Sequence, residues 1–248
     1  MKKLLWVSSL VLSTSLLAAA PGIPLNEQIA SFSVEEVSSE NFKSFNGIPG
    51  GAGGGESTPE RPYPKPTLEN QLEKTGKVIQ VARDLVALGE SIYELAKKGK
   101  PTNITEYAPI SVVPRDPISK EYADVFDLEN FSMPIEKSYV AKVKNGLNKE
   151  VVTFSYKVIY SYGGSYNGRG KYLTNVIIVP GAIRTSFGWD FNASMKLSGI
   201  MNHGTKLDPV AGVMVTVKYQ MNSWSSAYER NDTIHLTGRG ELKTFTSK

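Results

Sequence analysis

Apolar residues recur at every second position from Phe187 to Met221. Phe187, Trp189, Phe191, Ala193, Met195, Leu197 and Met201 share one parity, and Asp190, Asn192, Ser194, Lys196 and Ser198 take the other. Beyond His203-Gly204-Thr205, the pattern resumes with Ala211, Val213, Val215, Val217, Tyr219 and Met221 against Thr216, Lys218 and Gln220. Successive side chains of a strand point to opposite faces, so this spacing predicts two antiparallel strands with one buried and one wet face. The alternation also runs through Ile135, Lys137, Tyr139, Ala141 and Val143 up to a turn at Asn145-Gly146. Then Val152, Phe154, Tyr156, Val158, Tyr160 and Tyr162 face one way, and Thr153, Ser155, Lys157 and Ser161 the other. Asn167-Gly168, inside the glycine-rich loop Gly163 to Gly170, is a hairpin signal leading into Tyr172 to Val179. Further strands are expected at Ile110 to Val113 and from about Thr233 to Phe245. Six or more strands at this spacing predict a mainly-β chain, an antiparallel β-sandwich over residues 101–248.

Two other segments precede it. Over 67–100, Val78, Val81, Leu85, Leu88, Ile92 and Leu95 step by three and four, between an N-cap at Thr67 and a stop at Gly99 and Pro101. That spacing predicts one long amphipathic helix, packed on the β-domain or, alternatively, held ready for lipid. Residues 23–66 are rich in glycine and proline and read as a disordered linker. Phe32, Val34, Val37, Phe42 and Phe45 are apolar residues that a pure linker does not need.

Met1-Lys2-Lys3, the apolar run Leu4 to Leu17 and the small residues Ala18-Ala19-Ala20 form a signal-peptide pattern over 1–22. The expectation is therefore an exported chain, bound for the periplasm, the outer-membrane surface or the medium. Cysteine is absent, so no disulfide supports the domain and its core must suffice. The formal charge is +4, of which Lys2 and Lys3 contribute two. Such weak basicity, with no basic cluster, argues against a nucleic-acid partner.

Catalytic chemistry is hard to find. Gly170-Lys171 is followed by Tyr172 and a strand, so the phosphate-loop pattern fails in spacing and context. His203 and His235 are the two histidines, and neither stands in a metal-ligand spacing; no metal and no cofactor are expected. Asp208 is close enough in sequence to hydrogen-bond to His203. Asp190, Glu229, Asp232 and Glu241 could supply a carboxylate pair for glycoside hydrolysis, but any solvated sheet face carries such residues. The chain is therefore read as non-enzymatic, with no catalytic residue assigned. Tyr162, Tyr166 and Tyr172 around the glycine loop, with Trp224 and Tyr228 before the last strand, are the candidate binding residues. Loop aromatics of this kind suit a glycan, a protein or a membrane surface.

Gly99-Lys100-Pro101, the run Tyr162 to Tyr172 and Asp208-Pro209-Val210-Ala211-Gly212 resemble a loose group of small exported proteins of predatory and marine Gram-negative bacteria. The resemblance covers Val78 to the C-terminus; it implies export and a β-rich domain and brings no activity with it. A separate fold-level analogy, in order of elements alone, is to the actinoporins, cysteine-free toxins with a helix beside a β-sandwich. The functional expectation is an exported binding or surface-interaction module. The alternatives are a membrane-active protein using the 67–99 helix and a carbohydrate-processing enzyme.

Overall fold

The structure is a computed structural model and describes residues 11–16, 22–46, 85–88, 93–95, 109–115 and 121–246. Its strands are β1 (Val11–Leu16), β2 (Ile29–Val37), β3 (Leu85–Leu88), β4 (Tyr93–Leu95), β5 (Ile110–Pro114) and β6 (Ile135–Asn145). They continue with β7 (Glu150–Tyr166), β8 (Arg169–Thr185), β9 (Asp190–Asn202), β10 (Ala211–Asn222), β11 (Ala227–Thr237) and β12 (Leu242–Thr246). One helix, α1 (Ser39–Asn46), follows β2. The chain is mainly β, as the alternation predicts. A larger sheet has the order β1-β2-β6-β7-β8-β5-β3 and a smaller one β12-β11-β10-β9-β4, with antiparallel pairing throughout.

The hairpin of β7 and β8 sets the frame. Asn167 and Gly168 both have positive φ, 51° and 70°, and Tyr166 faces Arg169 across them. This is the two-residue turn whose twist matches that of the flanking strands. The inward parity of β7 holds: Val152, Phe154, Tyr156, Val158 and Tyr160 are buried. Across the gap, the Phe154 ring lies 5.5 Å from Phe191 of β9, and Phe32 of β2 lies 5.1 Å from Tyr219 of β10. The two sheets thus share one aromatic core, each fully buried large side chain contributing about 1.5–3 kcal/mol.

Several expectations are corrected. The helix over 67–100 is absent where that span is described, since Leu85–Leu88 pairs with β5 and Tyr93–Leu95 with β9. Leu85, Val86 and Leu88 are all buried in β3. A short apolar run satisfies helical and strand spacing alike, and a free sheet edge selects the strand. The rest of the helical stripe, including Val78 and Val81, lies outside the described residues.

The linker reading fails over residues 29–46. β2 pairs with β6 from Ile29 to Val37, and Phe32 and Val34 have no exposed surface. Phe42 of α1 is buried on the outer side of the larger sheet, where Lys157 rests 4.9 Å from its ring centroid. Of the surplus apolar residues of this segment, Phe32 and Val34 belong to the core, Phe42 is buried outside it, and Val37 and Phe45 are half-buried. The Gly- and Pro-rich remainder, 47–66, lies outside the described residues. Val11–Leu16, within the segment read as a signal peptide, pairs with β2 at the edge of the larger sheet.

On β7, Thr153, Ser155 and Ser161 are buried instead of wet. Asn46 of α1 accepts hydrogen bonds from Ser155 Oγ at 3.1 Å and from the Ala182 amide at 2.8 Å, so this face is covered. On β9, the inward parity slips after Leu197. Pairing with β10 shifts between Met214 and Val215, which turns Ile200 inward where Met201 was expected. Phe187 lies ahead of the strand in a turn and is 98% exposed.

These placements can be measured by urea denaturation. Phe32→Ala is expected to cost about 3–5 kcal/mol, as for a buried core aromatic. Phe187→Ala should change stability by less than about 0.5 kcal/mol.

Candidate functional site

The five aromatic residues expected at the surface do not form one site. Tyr162, Tyr166 and Tyr172 belong to the tip of the β7–β8 hairpin, where they close the end of the core. Tyr172 is buried, while Tyr162 and Tyr166 are half-buried and packed against the core cluster. Trp224 and Tyr228 stand at the other end of β10, roughly 35 Å away along a strand of this length. Trp224 is 80% exposed in the β10–β11 turn. Tyr228 is half-buried on β11, and burial raises the pKa of its hydroxyl.

At the Trp224 end, the β8–β9 and β10–β11 turns meet. A side-chain carbon on Gly188 would lie only 3.0 Å from Trp224 Nε1, so the indole rests against that glycine. Phe187, the residue before Gly188 in the same turn, is exposed. At the same ends of β9, β10 and β11, a cleft of about 390 Å³ is lined by Asp190, Asn192, Gln220, Asn222, Tyr228 and Glu229, among others. Strand register explains this grouping. Gln220 faces Asn192 on one side and Glu229 on the other, and Asn222 faces Asp190 and Ala227. Alternation then sends these side chains to the outer face of the smaller sheet.

The polar row is ordered before any ligand arrives. Asn192 Nδ2 donates to Gln220 Oε1 at 3.2 Å, and Gln220 Nε2 donates to Glu229 Oε2 at 3.3 Å. Lys218 Nζ lies 2.8 Å from the same Glu229 oxygen. The hydrogen bond from Lys218 is the main cause that holds Glu229 below the usual carboxylate range, so it is an ionised acceptor at neutral pH. Of the four carboxylates considered from sequence, Asp190 and Glu229 share this cleft, whereas Asp232 is buried in the core beside Arg230.

The opposite end of the smaller sheet holds both histidines. His203 follows β9, His235 lies on the outer face of β11, and their Nε2 atoms are 3.0 Å apart. Asp208, which its place in the sequence would allow to bond to His203, instead accepts from the Gly170 amide through Oδ1 at 2.9 Å. Burial, then the charges of His203 and Lys243, lower the pKa of His235. Among the described residues, no three His, Asp or Glu side chains gather as a metal cage.

The amide row and the histidine pair were missed from sequence because both depend on register between strands far apart in the chain. The amide-rich outer parity of Asp190, Asn192 and Gln220 was the one local signal for the cleft. Comparison with protein-family models, curated proteins and solved structures finds no match to this chain.

The division between core and surface aromatics can be checked by thermal and urea unfolding. Tyr172→Ala should cost about 3 kcal/mol or more, while Trp224→Ala should leave stability within about 0.5 kcal/mol.

Proposed function

We propose that this chain is an exported, non-enzymatic binding module of β-sandwich form that holds a glycan in the cleft between Asp190 and Glu229. One observation carries the reading: a prearranged row of amide and carboxylate groups lines a cleft with Tyr228, and the turns that carry the exposed rings of Phe187 and Trp224 adjoin the strand ends that line it. A sugar ring presents an apolar C–H face and a line of hydroxyls that both donate and accept. An exposed indole suits the first, and Asn and Gln amides, which also donate and accept, suit the second. The cleft volume falls in the range of small-ligand sites, about 300–1,000 Å³. The hydrogen-bonded ladder lowers the entropic cost of ordering these side chains on binding. Export is part of the proposal and rests on the basic start, the apolar run and Ala18-Ala19-Ala20.

Two other readings have less support. Glycoside hydrolysis requires one carboxylic acid kept protonated by its surroundings. Glu229 is shifted in the opposite direction by Lys218. The membrane-active reading drew on a helix over 67–99, and β3 and β4 occupy part of that span.

The test is a screen of immobilised glycans with the folded protein, followed by calorimetric titration of any hit. The expected outcome is saturable binding that weakens about tenfold or more in Trp224→Ala and in Gln220→Ala, with melting temperatures unchanged. Absence of glycan binding, or binding indifferent to both substitutions, would overturn the proposal.

A further inference from the structure

Both histidines of the chain meet at the end of the smaller sheet remote from the cleft, about 20 Å further along β11 than Glu229. Their ring centroids are 4.9 Å apart and the planes are tilted by 49°, and the two Nε2 atoms share a hydrogen bond that an ion bound by both nitrogens would replace, with loss of its proton. The approach is built into the backbone. A side-chain carbon on Gly212 would fall 2.6 Å from His203 Cδ2 and Nε2, so a residue with no Cβ is needed where the imidazole lies across β10. The turn that carries His203 is held from several sides. Asn202 Oδ1 accepts from the amides of Gly204 and Val210, at 2.8 and 2.9 Å. The Thr205 hydroxyl accepts from the Asp208 amide at 3.0 Å. His235 is fixed by the ladder between β10 and β12.

We infer that His203 and His235 form a two-histidine site for a divalent transition-metal ion, Cu(II) above all, open to solvent on its remaining positions. Imidazole nitrogens bind such ions at about 2.0–2.1 Å. Two of them 3.0 Å apart then subtend about 95° at the ion, close to the right angle between neighbouring ligands of a tetragonal centre. At such a site the general affinity order places Cu(II) ahead of both Ni(II) and Zn(II). The cleft at this end, about 210 Å³, has room for coordinated water. Glu241 lines it and offsets part of the opposing charge of Arg239, also in the lining, and of Lys243, which faces His235 in register. A bound ion would clamp the 203–210 turn to β11.

The test uses the whole chain purified without a histidine tag and titrated with Cu(II) and Ni(II), with calorimetry and electron paramagnetic resonance as readouts. The expected result is one Cu(II) per chain, with hyperfine structure from two nitrogen ligands and weaker binding of Ni(II). Either His203→Ala or His235→Ala should weaken Cu(II) binding about 100-fold. Lys243→Ala, a folded control on the same surface, should bind at least as tightly as the parent. No stoichiometric binding, one nitrogen ligand, or binding that survives both histidine substitutions would overturn the inference.

Discussion

An ion pair buried between the sheets fixes how the rest of the molecule is arranged. Arg230 and Asp232 lie two residues apart on the inward face of β11, and both side chains are 1% exposed. Arg230 Nε donates to Asp232 Oδ1 at 3.0 Å, and its Nη atoms reach the Phe32 carbonyl and the Thr246 hydroxyl, each at 3.2 Å. The guanidinium also sits 4.3 Å from the centroid of the Phe32 ring. One side chain thereby joins β11 and β12 of the smaller sheet to β2 of the larger. Burial raises the pKa of Asp232 despite the neighbouring Arg230 charge, so desolvation outweighs the attraction between the pair. Such a pair adds little net stability over apolar residues of the same size, but it penalises any arrangement that leaves either charge alone. Its effect is to locate β2, and with β2 the edge of the core.

The position of β2 determines which surface is free. The chain leaves β2 into α1, and Phe42 and Asn46 of that helix cover the outer face of β7 and β8. The outer face of the smaller sheet carries its own polar alternation. Asn192, Gln220 and Glu229 bond to one another across β9, β10 and β11. At one end of this face two turns bring Phe187 and Trp224 to the surface, and at the other the two histidines converge. The proposed glycan cleft and the proposed metal site thus lie on the same sheet face, separated by most of the length of its strands.

The sequence made the parity of β7, β10 and most of β9 legible, because a strand with one buried face writes its pattern locally. It also made the Asn167-Gly168 turn legible, since that turn requires positive φ at both residues. What failed depended on partners distant in sequence. Leu85 to Leu88 reads as part of a helix until β5 is known to offer an edge, and Phe32 reads as incidental until Arg230 and Tyr219 are seen around it. Ser155 reads as solvent-facing until α1 is placed over it. For the site, Trp224 and Tyr228 were found as aromatics near a turn, while of the tyrosines of the hairpin tip Tyr172 is core and Tyr162 and Tyr166 are half-buried against it. The contacts that assemble the amide row and the histidine pair come from register, which no local pattern encodes.

A double-mutant cycle on the buried pair tests the placement of β2 most directly. Asp232→Leu alone should cost about 3–5 kcal/mol, because it strands the Arg230 guanidinium against Phe32. Adding Arg230→Met should restore most of that loss, and protection of the β2 amides from hydrogen exchange should fall and recover in step. Costs that simply add, or two single substitutions each worth less than about 0.5 kcal/mol, would contradict the claim that this pair ties β2 to the smaller sheet.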